Sequence, residues 1–146
     1  MDIDGSSNFL ATGATDAAVR VWDLDKGFCT HNFRGHRGIV KTVKFHPDPH
    51  RWQLVSAAEG DSQIRVWDLI SKTCTAVLDG HYSVVTSFAF SACGWTLLSG
   101  GRDKVVNVWN LRTNVLERTI PVFEVRFRIL SFEVESSYLA RRPSRQ

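Results

Sequence analysis

One sequence pattern recurs along this chain, and its tryptophans mark the period. Trp22, Trp67 and Trp109 are spaced 45 and 42 residues apart. An aspartate stands six residues before each tryptophan, a hydroxyl residue stands four or five residues before each aspartate, and a Gly-His pair follows the first two tryptophans. Agreement at fixed offsets indicates repeated supersecondary units. The repeated polar residues are Asp16, Asp61 and Asp103; Thr12, Ser56 and Ser99; and His36 and His81.

Residues 80–111 show the unit in full: GHYSVVTSFAFSACGWTLLSGGRDKVVNVWNL. Its apolar runs are short and rich in β-branched and aromatic residues, and small or charged residues separate them. Such runs favour strands over helices. The sequence therefore predicts an all-β protein.

The phrases LATGATDAAVRVWDL, LVSAAEGDSQIRVWDL and LLSGGRDKVVNVWNL resemble the WD-repeat family of β-propellers, and the likeness covers residues 1–132. In that family each blade is a four-stranded antiparallel sheet of about 40–45 residues. The resemblance implies an incomplete, open WD40 β-propeller of about three blades plus a partial fourth. An open ring exposes apolar faces and strand edges, so we expect self-association of such a fragment.

Alignment on the third repeat divides the chain into five segments. We predict a partial blade at residues 1–34, blades at 35–79 and 80–120, the start of a degenerate blade at 121–140 and a disordered basic tail at 141–146. The first blade has no histidine in the place of His36 and His81, and Ile3 takes the place of Phe45 and Phe90 in the inner strand. Phe123 stands where the fourth histidine is expected.

By the same resemblance, the repeated polar residues of a blade form one buried hydrogen-bonded set. A buried imidazole, hydroxyl or indole N–H costs free energy unless it is paired. The longer spacing between Ser56 and Asp61 leaves the geometry of the second set open. The expected sets are Thr12, Asp16 and Trp22; His36, Ser56, Asp61 and Trp67; and His81, Ser99, Asp103 and Trp109.

A serine, a histidine and an aspartate also suggest a hydrolase. We favour a structural role, because the trio recurs in successive repeats and no GxSxG sequence accompanies it. The chain has three cysteines and no CxxC pair, which argues against a zinc site. We expect Cys29 and Cys74, at equivalent positions, to be packing residues, and His46 and His50 to be solvated rather than metal ligands. No catalytic, cofactor-binding or metal-binding residue is therefore predicted.

Other sequence segments resemble one particular group of WD-repeat proteins. FRGHRGIVKTVKFHPDP, VLDGHYSVVTSFAFSACGWTLLSGGRDK and ERTIPVFE are similar to the transducin-beta-like WD-repeat subunits of the small-subunit processome. This likeness implies a non-catalytic scaffold in the nucleus and nucleolus, active in pre-rRNA processing and ribosome biogenesis. Its partners would be other protein subunits of a ribonucleoprotein assembly. The alternatives are a scaffold of a ubiquitin-ligase or chromatin complex, and a non-functional truncated product.

The formal net charge of +3 permits an acidic partner without requiring one. Arg37, Lys41 and Arg102 are candidate partner contacts. Direct RNA contact is a weaker alternative, and it rests on basic residues of the second repeat and on the arginine-rich tail. No membrane contact or small-molecule substrate is expected, because no apolar run approaches the roughly 20 residues of a membrane span and no phosphate loop is visible.

Overall fold

The computed structural model describes residues 1–5, 8–48 and 50–121. Within them, the chain forms three four-stranded antiparallel sheets, each with its strands in sequence order. This confirms the predicted all-β class. The segments predicted as the start of a degenerate blade and as a basic tail lie, beyond Pro121, outside the described residues.

The three sheets are called blades 1, 2 and 3. Blade 1 contains β1 (Asp2–Ile3), β2 (Phe9–Gly13), β3 (Ala18–Asp23) and β4 (Phe28–Arg34). Blade 2 contains β5 (Val40–Phe45), β6 (Gln53–Ala58), β7 (Asp61–Asp68) and β8 (Thr73–Leu78). Blade 3 contains β9 (Val85–Phe90), β10 (Thr96–Gly101), β11 (Val105–Asn110) and β12 (Val115–Pro121).

The register is the same in all three blades at the first strand pair. Ile3 lies opposite Leu10, as Phe45 lies opposite Leu54 and Phe90 opposite Leu97. The sequence alignment that put Ile3 in the inner strand is therefore confirmed. The leucine of the second strand in turn faces the repeated tryptophan of the third.

Each tryptophan also marks a β-bulge between the third and fourth strands. The pairing shifts between Val21 and Trp22, and again at the equivalent positions of blades 2 and 3. After the shift, Cys29 lies opposite Trp22 and Cys74 lies opposite Trp67, so the two thiols are in equivalent half-buried places. A bulge inserts one residue and increases the local twist.

Successive blades pack face to face through apolar side chains. Phe33 of blade 1 stacks on Trp67 of blade 2, with ring centroids 4.8 Å apart and an interplanar angle of 21°. In the second interface Leu78 and Ile64 share a core with Trp109. Trp67 and Trp109 are each 2% exposed, whereas Trp22 is only half-buried. Each fully buried aliphatic or aromatic side chain contributes roughly 1.5–3 kcal/mol of hydrophobic stabilisation, so these interfaces hold the blades together.

Candidate functional site

The repeated histidines, hydroxyls, aspartates and tryptophans of blades 2 and 3 meet in two equivalent networks. In blade 2 the Nδ1 atom of His36 lies 3.1 Å from Asp61 Oδ2, and its Nε2 atom lies 2.6 Å from Ser56 Oγ. The indole of Trp67 donates to the same Ser56 oxygen at 2.7 Å. In blade 3 the matching distances are 2.9, 2.7 and 2.8 Å. The blade 3 network consists of His81, Ser99, Asp103 and Trp109.

The chemistry of the partners assigns the donors in blade 2. An ionised carboxylate only accepts hydrogen bonds, so the Nδ1–H group of His36 donates to Asp61. The Trp67 indole is donor only, so Ser56 Oγ accepts from it, and the Ser56 hydroxyl is left to donate to His36 Nε2. The Ser56 hydroxyl takes part in two hydrogen bonds, once as acceptor and once as donor. The network thus fixes one tautomer of the neutral imidazole.

Burial and hydrogen bonding act on the two titratable groups of the blade 2 network. Burial lowers the pKa of His36, although the Asp61 carboxylate opposes that shift. Burial also works to raise the pKa of Asp61, but hydrogen bonds from the Gln63 backbone N–H and from His36 outweigh it, and the net shift is downward. Both directions favour a neutral imidazole beside an ionised carboxylate at neutral pH.

The connectivity of Ser56, His36 and Asp61 is that of a catalytic triad, but its surroundings are not those of an active site. The side chain of His36 is fully buried, and Ser56 has no exposed surface. The Trp67 indole already occupies a lone pair of the Ser56 oxygen. A nucleophile must come within bonding reach of its substrate, and these side chains enclose the hydroxyl instead.

Blade 1 differs from the expected set. Trp22 donates to Thr12 Oγ1 at 3.0 Å, as in the other blades. Asp16 contacts neither residue. The histidine of the described part of blade 1, His31, lies on β4, and its ring contacts Thr30 and the Leu69 carbonyl oxygen rather than Thr12 or Asp16. Asp16 forms an ion pair with Arg20 instead, at 2.5 Å, and it accepts from the Ala18 backbone N–H.

The extra residue before Asp61 does not disturb the blade 2 network. The pairing of β6 with β7 shifts between Ala57 and Ala58, and Gly60 adopts a φ of 82° in the tight turn that follows. Glycine reaches that region without the steric penalty of a Cβ atom. The turn therefore absorbs the insertion and returns Asp61 to His36.

The candidate partner contacts lie together at one end of the blades. This upper end carries the loops of residues 35–39, 59–60, 79–84 and 102–104. Arg37, Lys41 and Arg102 are all exposed there, and Lys41 and Arg102 line a cavity of about 270 Å³ between blades 2 and 3. Glu59, 3.5 Å from Lys41, is the acidic member of the cavity wall.

Two features at the opposite end were missed by sequence reasoning. This lower end carries the loop residues 46–48 and 50–52 and the loops of residues 69–72, 91–95 and 111–114. His46, expected to be solvated, is 3% exposed, with its Nε2 atom 2.8 Å from the carbonyl oxygen of Gly94 in the next blade. Its Nδ1 atom accepts from the Asp48 backbone N–H. The neutral ring therefore ties the loop of blade 2 to that of blade 3.

The second missed feature is a cationic and aromatic cluster beside this tie. The guanidinium carbons of Arg51 and Arg112 lie 3.6 and 4.6 Å from the ring centroid of Trp95. The only sequence signal was basic and aromatic residues in loops of neighbouring repeats. We call these three residues the Arg-Trp-Arg cluster.

Across residues 1–5, 8–48 and 50–121, no three His, Cys, Asp or Glu side chains are grouped so as to hold a metal ion. In the same residues, no helix has the length and apolar character needed to cross a membrane.

Three antiparallel four-stranded blades with a repeated Trp-Ser-His-Asp network define a WD-repeat protein. The sequence model of the WD40 family (WD domain, G-beta repeat) matches residues 1–23, 27–68 and 72–110. The chain belongs to this family, as its repeats predict, and its blades form an incomplete β-propeller.

Within the family, the chain is similar to transducin beta-like protein 3. It is 54% identical to the proteins of that name from Bos taurus and Homo sapiens over 124 residues, which are 85% of this chain and 15% of each relative. It is also 41% identical over 46 residues to U3 small nucleolar RNA-associated protein 13 of Saccharomyces cerevisiae, or 32% of this chain and 6% of that protein. The chain thus spans about 15% of the length of the first relatives.

Proposed function

We propose that this chain provides WD40 blades to a non-catalytic scaffold of a ribonucleoprotein assembly that acts in pre-rRNA processing and ribosome biogenesis. Its place would be the nucleolus. The observation that carries the proposal is the likeness to transducin beta-like protein 3 over 85% of the chain, joined by a likeness to a protein named for its association with U3 small nucleolar RNA.

The buried networks support the non-catalytic part of the proposal. Ser56 and Ser99 are the hydroxyls that a hydrolase would use, and both have no exposed surface. We propose that their networks hold the strands of one blade in register, since a hydrogen-bonded polar network in a low-dielectric core favours a single arrangement. We also propose that residues 1–34, 35–79 and 80–120 act as successive repeat units.

The upper end supports a protein partner. Lys41 and Arg102 line a cavity of about 270 Å³, and Arg37 and Tyr82 are exposed in loops of the same end, Tyr82 with 94% of its surface. Arginine and tyrosine are enriched among the residues that contribute most to binding energy at protein interfaces. We propose that this end contacts another subunit of the assembly.

Capture from nuclear extract tests the proposal. The tagged 146-residue chain should recover U3 small nucleolar RNA and the proteins of its particle well above an unrelated small nuclear RNA, measured by quantitative reverse transcription and mass spectrometry. Charge reversal at Lys41 and Arg102 together should lower that recovery about fivefold, because complementary charge guides association. Lys26→Glu, at the lower end, is the matched control and should leave recovery unchanged. Equal recovery of both RNAs, or recovery of ubiquitin-ligase subunits in their place, would refute the assignment.

A further inference from the structure

The Arg-Trp-Arg cluster joins two blades at the lower end. Arg51 comes from the loop between β5 and β6 of blade 2, whereas Trp95 and Arg112 come from two hairpin loops of blade 3. A backbone hydrogen bond of 2.8 Å from Leu111 N–H to the Trp95 carbonyl fixes the two loops of blade 3 side by side. The guanidinium groups of Arg51 and Arg112 therefore both contact the indole of Trp95.

Neighbouring contacts hold the loop that carries Arg51. The buried ring of His46 donates to the Gly94 carbonyl and accepts from Asp48, so the start of this loop is fixed to blade 3. The backbone N–H of Leu69 donates to the Trp52 carbonyl at 2.7 Å and fixes its end. Preorganised charged groups lose less conformational entropy when they bind.

The two arginines of the cluster form no ion pair within the described residues, although Asp4 and Asp48 line the same small cavity as Arg51. The Nη1 atom of Arg51 is buried without a hydrogen-bond partner, and its Nη2 atom has only a 3.5 Å contact with Gln53. Asp48 of the same loop directs its Oδ1 atom to the His50 backbone N–H. Cation–π contact stabilises the exposed Arg112 by only about 0.5–1 kcal/mol and leaves its N–H donors free.

The charge also reaches neighbouring groups. The pKa of the exposed Cys93 thiol is lowered, first by its hydrogen bond with Ser91, then by hydrogen bonds with the backbone of Trp95 and of Cys93 itself, and to the smallest extent by the charge of Arg112. The pKa of His46 is lowered by burial and additionally by Arg51. Two groups on either side of the cluster thus experience its positive potential.

We propose that the Arg-Trp-Arg cluster is a docking site for an acidic segment of a partner protein, with aspartate or glutamate carboxylates bound by the two guanidinium groups. The planar guanidinium matches a carboxylate in a bidentate geometry that a lysine ammonium does not provide. Single-stranded RNA fits less well, because its bases need an uncovered aromatic face for stacking, and the indole of Trp95 is engaged by the two arginines. The site lies at the opposite end from the upper-end surface and does not depend on which assembly the chain joins.

A binding titration with the full chain tests this site. The probe is a short fluorescein-labelled oligoglutamate peptide, followed by anisotropy, beside an equally labelled single-stranded RNA. We expect the peptide to bind, and Arg112→Gln to weaken it about fivefold, the loss typical of an exposed charge-assisted pair. Arg112→Lys should weaken it nearly as much, because it keeps the charge but loses the fork. Arg118→Gln removes one exposed arginine elsewhere on blade 3 and should have no comparable effect.

Cys93 supplies a second readout inside the same molecule. An anionic disulfide reagent should modify Cys93 faster in the wild type than in Arg112→Gln, whereas a neutral alkylating reagent should discriminate less. Bound oligoglutamate should protect the thiol, and Cys93→Ser identifies its signal among the three cysteines. Thermal melting checks that each variant is folded.

The proposal is overturned by three results: no peptide binding at low salt, equal losses for Arg112→Gln and Arg118→Gln, or tighter binding of the RNA with the same dependence on Arg112. Recovery of U3 RNA by the Arg112→Gln chain is measured separately, so failure of this site and failure of the proposed function are distinguishable.

Discussion

At the residue scale, each buried serine is the centre of its network. Ser56 accepts a hydrogen bond from Trp67 and donates one to His36, and Ser99 contacts the equivalent pair of atoms in blade 3. A single hydroxyl thus satisfies two large side chains that would otherwise be buried with unpaired polar atoms. The energetic importance of the serine lies in the groups that it satisfies more than in its own hydrogen bonds.

We expect Ser56→Ala to destabilise the chain by about 3 kcal/mol, because it leaves both the Trp67 indole N–H and the His36 Nε2 atom buried without a partner. Thr12→Ala should cost only about 1 kcal/mol, since it removes one bond to the half-buried Trp22 and no histidine depends on it. Urea denaturation measures both. Ser71→Ala, at an exposed turn, is the control, and losses of equal size for Ser56 and Thr12 would contradict the role given to the histidine.

His46 and His36 make stability depend on pH. In both, burial holds the pKa of the folded state below the ordinary value of 6.5. The folded state therefore binds fewer protons than the unfolded state around this pH. The stabilisation is fully present above 6.5 and is lost as the pH falls through 6.5 toward the lower folded pKa.

We expect the free energy of unfolding to decrease as the pH is lowered below 6.5, measured by urea denaturation at a series of pH values. Protonated His46 can no longer accept the hydrogen bond from the Asp48 backbone N–H, which contributes to this loss. His46→Gln removes the titrating ring, so it should lower stability at neutral pH and reduce the dependence of stability on pH. His50→Gln, at an exposed position of the same loop, should retain the acid-induced loss because His46 and His36 remain. A wild-type chain whose stability rises on acidification through this range would disprove the assignment.

At the scale of the strand and loop, the sequence and the structure agree where elements repeat. The spacing of Trp22, Trp67 and Trp109 was enough to predict strands, blade order and the register of Ile3, because equivalent residues of each repeat pack in the same way. The spacing did not predict that Asp16 stays outside the hydrogen-bonded set of Thr12 and Trp22. Asp16 pairs with Arg20 instead, because blade 1 has no histidine in the place of His36. The His46 tie and the Arg-Trp-Arg cluster could not be predicted, because they join lower loops whose sequences differ between repeats and whose side-chain directions depend on the packing of adjacent blades.

Gly94 shows how closely two such loops approach. It has a φ of 78°, and a Cβ atom added there would overlap the ring of His46. Gly60 has a similar φ of 82°, but a Cβ atom would meet nothing within 4 Å. The two glycines separate the cost of backbone conformation from the cost of the close approach.

We expect Gly60→Ala to cost about 1 kcal/mol, the penalty of a left-handed conformation for a residue with a Cβ atom. Gly94→Ala should cost about 3–4 kcal/mol, because it must also displace the His46 ring from the Gly94 carbonyl. Denaturant midpoints of the two variants give the comparison. If a second change, His46→Ala, recovers the stability lost in Gly94→Ala, the ring of His46 is the cause of the loss. Equal losses of stability at the two glycines would contradict the close contact between His46 and Gly94.

At the scale of the whole molecule, the blades form a row in which each sheet packs on its neighbours. Blade 2 is covered on both faces: Leu54 and Trp67 pack toward blade 1, and Val55 and Ile64 pack toward blade 3. The tryptophan of blade 1 is half-buried, in contrast to the 2% exposure of Trp67. Stability in such arrays is approximately a sum over repeats and the interfaces between them, so it should differ along the row.

Native-state hydrogen exchange, read by mass spectrometry of peptic fragments, should therefore show the slowest amides in β6 and β7 and faster exchange in β2 and β3. The amides of blade 2 can exchange only after two interfaces have opened, whereas those of blade 1 need the loss of one, and local openings have lower free energies than global unfolding. Phe33→Leu tests this order of exchange rates. Leucine should be tolerated at this position without a change in either sheet, because Leu78 occupies the equivalent place in the second interface. The substitution should accelerate exchange in blade 1 more than in blade 3. A chain that unfolds as one cooperative unit would instead show the same protection in β3 as in β7, and Phe33→Leu would then accelerate all three blades equally.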